Sequence, residues 1–344
     1  MGVHCCLAFM HLMRYLDRSS KISVRLTRKR SSVMKSPSLR PYLALIVGVL
    51  AASSSSIFIR FAQNEGASSL LIAAWRVGLA TLILTPIVFA RYRPILANLQ
   101  RDQLLLALLA GGALAVHFAS WITSLEYTSI LISVTLVTTN PLVVALVSPF
   151  LLRERLSRVT VGAILLAIIG GIVISAGGGA GSAPKQDAPM LGIVLALIGS
   201  VSVAAYFIIG RRLRASIPVV PYIWITYGAA ALVLMMLVAI NQFPVTGLTS
   251  NAYLWMSLTA LFPQLIGHSL FNYALGFLRA SFVSLGVLGE PIFSTIMAIF
   301  LLKEQPTPLQ LVGSGLILIA LILASREEAQ AENSRQAALQ TATS

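Results

Sequence analysis

Charge is scarce in this 344-residue chain: Asp, Glu, Lys and Arg together make up 10% of it, and only 11 residues are acidic. Soluble globular proteins carry about 25% charged residues. With 57% apolar residues and a mean hydropathy of +0.86, the composition excludes that class and indicates a polytopic membrane protein. Cysteine is almost missing. Cys5 and Cys6 are the only two, adjacent near the start, so no disulfide framework or cysteine metal site follows and palmitoylation is the one chemistry they suggest. No phosphate-binding P-loop motif occurs, which excludes transport driven by an ATPase on this chain. There is no metal-ligand cluster and no nucleophile–base pairing, so the sequence points away from an enzyme and asks for no cofactor. The opening apolar run is too short for a cleavable signal.

Long apolar runs are what the chain has in abundance. A helix needs about 20 apolar residues to cross the hydrocarbon. Ten candidate spans fall near residues 41–60, 69–90, 103–124, 128–151, 159–177, 189–210, 219–240, 252–276, 280–302 and 308–325. The net charge of +14 arises in the basic start of the chain and in short loops, so a nucleic-acid partner is not indicated. With an internal N-terminus, one set of loops holds Arg91, Arg93, Arg101, Arg153, Arg155, Arg158, Arg211, Arg212, Arg214 and Arg279. The other holds only Arg60, Lys185 and Lys303. That asymmetry places both termini in the cytoplasm. Residues 1–40 carry nine Lys or Arg against Asp17 alone and read as a disordered cytoplasmic tail, or as a start displaced upstream of Met34.

A repeat organises the spans. Asn140-Pro141 leads to Phe150-Leu151-Leu152-Arg153-Glu154, and Glu290-Pro291 leads at the same spacing to Phe300-Leu301-Leu302-Lys303-Glu304. Leu125/Leu275 and Val137/Val287 keep that offset. A Gly-rich linker, 178–188, divides five spans (41–177) from five more (189–325), with a cytoplasmic tail at 326–344. An odd number of spans per half makes the second half enter from the opposite side, so the halves are expected as inverted repeats. The fold expected is therefore all-α, ten transmembrane helices in two inverted five-helix repeats around a central cavity. At 1.5 Å rise per residue, Asn140 and Glu290 lie roughly 15–16 Å into their spans, near the midplane. The prolines after them, and Pro263 in the eighth span, are candidate breaks or hinges.

Only Arg76 and Glu290 fall well inside a span, and an ionisable group at that depth is a functional candidate by default. Glu290 is read as a substrate ligand, as a carrier of an exchangeable proton, or as the structural ion-pair partner of Arg76. Arg76 itself, roughly 10 Å below the surface by the same helix rise, has the alternative of snorkelling outward. Gln264, His268 and Asn272 recur every four residues in the eighth span and predict a polar stripe on a cavity wall. His117 and Trp121 have that spacing in the third. Each histidine alone reads more readily as a helix-packing residue. The Ser53–Ser56 run reads first as hydroxyls bonded back to their own helix, or as close packing. Trp75, Trp121, Trp224 and Trp255 are interfacial anchors or cavity aromatics.

Ten spans, the five-plus-five duplication, Asn140-Pro141 and Gly289-Glu290-Pro291 at matching points, and Leu-Leu-basic-Glu after each resemble the EamA family of the drug/metabolite transporter superfamily. Trp75-Arg76 also looks familial, and the resemblance covers residues 41–325. It implies two inverted halves around a cavity lined mainly by spans one, three, four, six, eight and nine, with five and ten peripheral. It implies export of amino acids, other metabolites or drugs across a bacterial inner membrane. Asn140 departs from many relatives, which have a hydrophobic or acidic residue there.

The function expected is thus a secondary transporter, an exporter of a small molecule by alternating access, with the bilayer as partner and the proton as a candidate coupling ion. Its cavity residues are Glu290, His268, Asn272, Gln264, Asn140, His117 and Trp121. The alternatives are a nucleotide-sugar or organic-anion carrier of the same superfamily, a passive channel, or a membrane scaffold that transports nothing.

Overall fold

The computed structural model describes residues 39–152, 157–177, 185, 187–278 and 280–341. The basic start, most of the Gly-rich linker, Arg153, Glu154, Arg155, Arg279 and both cysteines lie outside the described residues.

Every regular element among the described residues is helical. Five helices are long and apolar enough to cross a membrane uninterrupted or nearly so: Arg40–Asn64, Ser69–Arg91, Arg101–Tyr127, Pro189–Arg214 and Val219–Ile240. The other spans are shorter or are broken into pieces, and together they complete a ten-span polytopic membrane protein in two repeats.

The breaks have local causes. The fourth span is Ile130–Val137 followed by Asn140–Leu152. The ninth is Ala280–Gly286, a 3₁₀ turn Val287–Gly289, then Glu290–Leu302. Pro141 and Pro291 thus sit in the first turn of a new helix, where a missing N–H costs nothing. The first span breaks at Ser54, between Arg40–Ser53 and Ser55–Asn64. There Ser53 Oγ donates to Val49 O at 2.7 Å and Ser54 Oγ to Ala51 O at 2.8 Å, back-bonds of the kind that bend helices. The eighth span runs Ser250–Thr259, a π-helical stretch Ala260–His268, and Ser269–Leu275. Pro263 lies inside the π stretch and cannot donate to an α ladder.

One expectation is extended and one corrected. The helix of the tenth span, Pro308–Thr341, runs on beyond its apolar stretch Pro308–Ala320 into the tail. After Ser325 the sequence is rich in Ala, Glu, Gln and Arg and holds no Gly or Pro, so nothing breaks it. Arg60, assigned by sequence to a loop, is inside the first span and 0% exposed. Its Nη2 donates to Thr128 O at 3.1 Å, and Glu304 acts on it electrostatically.

Packing follows the repeat. Ile130 answers to Ala280, Asn140 to Glu290 and Leu152 to Leu302. Across the halves, the third span packs on the sixth and the first on the eighth, while the second packs on the seventh, the fourth on the ninth and the fifth on the tenth. Exchanging the two repeats leaves that set of partners unchanged. The fifth and tenth spans pair with each other and share a small core with the fourth and sixth, built from Ile132, Leu136, Ala163, Ala167, Ala196, Ile317 and Ala320. One larger core joins the remaining spans.

Candidate functional site

The breaks converge on one narrow cavity, with a volume of about 30 Å³. Ala52 and Ser55 line it from the first span, Arg76 from the second, His117 and Trp121 from the third, and Val137, Thr138 and Asn140 from the fourth. Val203 and Phe207 come from the sixth, His268 and Phe271 from the eighth, and Val287 and Glu290 from the ninth. Among the described residues, spans five, seven and ten contribute nothing. The second span, absent from the set the family resemblance implied, enters through Arg76.

Arg76 is 0% exposed and does not snorkel. Its Nε donates to Gln264 Oε1 at 2.6 Å and its Nη1 to Ser55 Oγ at 2.7 Å. Its guanidinium lies 4.1 Å from the centre of the Phe118 ring. The ion pair, one of the three readings of Glu290, is not formed by direct contact with Arg76: Glu290 is close enough to act on Arg76 electrostatically, but the bonded partners of the cation are neutral. Charge-assisted bonds to neutral dipoles fix the guanidinium without cancelling its charge.

Glu290 opens the second piece of the ninth span, 8% exposed. Its backbone carbonyl accepts from Ser294 Oγ at 2.6 Å, and among the described residues its carboxylate has no hydrogen-bond donor. Asn140, its counterpart, is 1% exposed, and its Nδ2 donates to Val137 O at 3.4 Å. Across the cavity, His117 Nδ1 is 2.9 Å from Gly199 O, and its ring stacks on Trp121 at 5.8 Å and 15°. The His117 and His268 rings stand 6.3 Å apart.

The predicted stripe on the eighth span is divided. Only His268 lines the cavity; Gln264 holds Arg76, and Asn272 donates to Tyr206 Oη and to His268 O, both at 2.6 Å. The four-residue spacing puts the three on one side of the helix, but neighbouring spans press on that side: Gln264 and Asn272 are both 0% exposed and are taken up by Arg76 and Tyr206, which leaves His268 to the cavity. Of the hinge candidates, Pro141 and Pro291 flank the cavity residues Asn140 and Glu290, and Pro263 is buried in the π stretch beside Gln264.

The four tryptophans separate as well. Trp75 Nε1 donates to Ser257 Oγ at 3.3 Å, Trp224 Nε1 to Thr85 Oγ1 at 3.0 Å, and Trp255 packs on Phe58 and Phe61. Trp121 alone faces the cavity. Ser55, Phe207 and Phe271 were missed by sequence. The repeat offset held the signal for Phe271, which occupies the position matching Trp121. For Ser55 the signal was dilution: of four serines in a row, nothing marks the one that meets Arg76.

The model of the EamA-like transporter family matches twice, over residues 39–176 and 190–326. The chain is 24% identical over 287 residues to an uncharacterized transporter of Archaeoglobus fulgidus, covering 83% of this chain and 96% of that one. A second such protein of the same organism is 28% identical over 54% of this chain, and the match spans 64% of its length. The uncharacterized transporter YyaM of Bacillus subtilis is 22% identical, covering 74% of this chain and 83% of its own. A solved crystal structure shares the fold with a TM-score of 0.61 at 19% identity, covering 85% of this chain and 98% of that one. A duplicated model over nearly all the spans, joined to a cavity between the two copies, settles the classification: the chain belongs to the EamA-like transporter family.

Proposed function

We infer that this integral membrane protein is a secondary transporter that exports small metabolites, such as amino acids or related compounds, by alternating access. One observation carries the reading. Asn140 and Glu290 open the second pieces of two broken spans that pack against each other across the repeats, and both face the same cavity. Broken helices at corresponding depths of two repeats are the usual construction of a transport site. The irregular backbone lines a cavity, where it is tolerated. In this reading the repeats rock about that cavity, both termini lie in the cytoplasm of a bacterial cell, and 41–177 and 189–325 are the two moving units. The Glu290 carboxylate, held by no donor among the described residues, is the group that takes up or releases a proton during the cycle.

The test is counterflow. Purified protein in liposomes, preloaded with unlabelled amino acids or cationic drugs, is given the labelled compound outside. Saturable accumulation is expected, which neither a passive channel nor a scaffold produces. Glu290→Gln is expected to lower the rate by about 10²-fold or more, within the range that general acid–base groups contribute. Unchanged counterflow in Glu290→Gln at every pH would remove that residue from the cycle.

A further inference from the structure

Polar groups in the cavity wall divide into two unlike sets. One set comprises donors. Arg76 Nη2 and Trp121 Nε1 are buried and have no hydrogen-bond partner among the described residues. They belong to neighbouring side chains: the guanidinium carbon is 5.9 Å from the Trp121 ring. Both residues line the cavity. Neither guanidinium nor indole can accept a hydrogen bond, so only an acceptor satisfies either group. A buried donor left unmade costs about 1–3 kcal/mol, and more when charged. The other set are acceptors, the Glu290 carboxylate and Asn140 Oδ1, which is also buried without a partner among the described residues; His268 Nδ1, equally unpartnered, can serve in either set. The same wall holds Val203, Phe207 and Phe271, which offer no hydrogen bonds.

The rest of the guanidinium is immobilised. Ser55 and Gln264 take Nη1 and Nε, and the Phe118 face lies against the cation. What remains is one N–H edge with its charge not paired by direct contact. A fixed guanidinium edge beside a second donor matches the two oxygens of a carboxylate, the geometry for which Arg is suited and Lys is not.

We propose that Arg76 and Trp121 form a carboxylate-binding subsite, so that the transported compound is a small carboxylate whose apolar body lies on Phe207 and Phe271. This rests on the transport reading of the cavity and adds a chemical class to it. The competing account makes Glu290 a structural counter-ion reaching Arg76 through water, with both donors satisfied the same way. In that account a carboxylate competes with Glu290 instead of being recruited.

Three matched probes decide between them: phenylalanine, 3-phenylpropionate, which lacks the amine, and phenethylamine, which lacks the carboxylate. Binding to the full chain in lipid nanodiscs is measured by calorimetry. The two carboxylates are expected to bind at least about tenfold more tightly than phenethylamine, about 1.4 kcal/mol. Trp121→Phe removes one donor and keeps the ring, and is expected to shrink the preference severalfold. Arg76→Gln is expected to abolish it. Arg76→Lys, which keeps the charge but not the planar edge, is expected to retain only part. Phenethylamine binding as tightly as the carboxylates overturns the proposal. So does failure of both carboxylates to bind, or an unchanged preference in folded Trp121→Phe. Counterflow of the same probes separates the two ideas: binding with the stated preference but no counterflow defeats the transport reading alone, while counterflow without the preference defeats the subsite alone.

Discussion

Arg76 shows how a lone ionisable residue is accommodated in an apolar bundle. A buried charge is tolerated when it is well hydrogen-bonded, and here Gln264 and Ser55 supply two short bonds while Phe118 supplies a π face. Replacing Gln264 by Leu removes an acceptor bonded to a charged donor, an interaction of roughly 1.5–3 kcal/mol. Thermal unfolding in detergent is expected to show that loss for Gln264→Leu, with a lesser one for Ser55→Ala, whose space admits water. No loss in either variant would mean that the guanidinium has equivalent partners elsewhere. Scarcity of charge made Arg76 and Glu290 visible in the sequence as ionisable groups deep in the spans, though not Arg60, which the structure buries in the first. Of the three relations the sequence left open for Glu290, it could not choose one. Whether a cation meets an anion or two neutral oxygens depends on positions finer than a span assignment, and Gln264 and Ser55 are separated from Arg76 by sequence distance that leaves no trace in composition.

At the scale of the helix, irregularity is concentrated where spans meet the cavity. The Asn-Pro and Glu-Pro pairs made the breaks in the fourth and ninth spans legible, since proline admits few backbone arrangements. The π stretch of the eighth was not legible. Pro263 permits several outcomes, and choosing among them takes the packing of the first span. There Gly267 approaches the backbone of the first span so closely that an added Cβ would stand 3.2 Å from both Ala52 N and Gly48 O. Those atoms are main chain and cannot turn aside, so Gly267→Ala must part the two spans. The expected cost is about 1–3 kcal/mol, the usual range for overpacking, read as a lowered unfolding temperature. Gly112→Ala and Gly315→Ala, which meet nothing within 4 Å, are the matched controls and are expected to be neutral. Equal effects at all three positions would place the cost in the helix backbone and not in the contact.

Across the whole molecule, the repeat was legible because the Leu-Leu-basic-Glu element recurs at a fixed offset, but its purpose was not. The structure gives the second copy a task. Glu304 is 6% exposed and accepts from Ile130 N, the first residue of the fourth span, at 3.2 Å through Oε2. A carboxylate there also complements the positive end of that helix. Beside it, Arg60 holds Thr128 O and lies within electrostatic reach of Glu304. One acidic residue from the second repeat thus bonds the fourth span and acts on Arg60 of the first at a single end of the bundle. At the other end Arg211 Nη1 and Arg214 Nε donate to Leu275 O and Asn272 O at 2.9 and 3.0 Å, closing the sixth span on the eighth. If the repeats rock, the tie at Glu304 must open whenever the cavity faces that end. Glu304→Gln keeps the shape and removes the charge. Losing a charge-assisted bond of roughly 1.5–3 kcal/mol shifts a two-state balance by about tenfold or more. The measurement is the rate at which a membrane-impermeant thiol reagent modifies Val137→Cys, with Cys5 and Cys6 replaced by Ser. From the Glu304 end, that rate is expected to rise by about tenfold in Glu304→Gln, and from the opposite end to fall. A rise from both ends would indicate loosened packing, and no change from either would show that Glu304 caps the fourth span without holding the cavity shut.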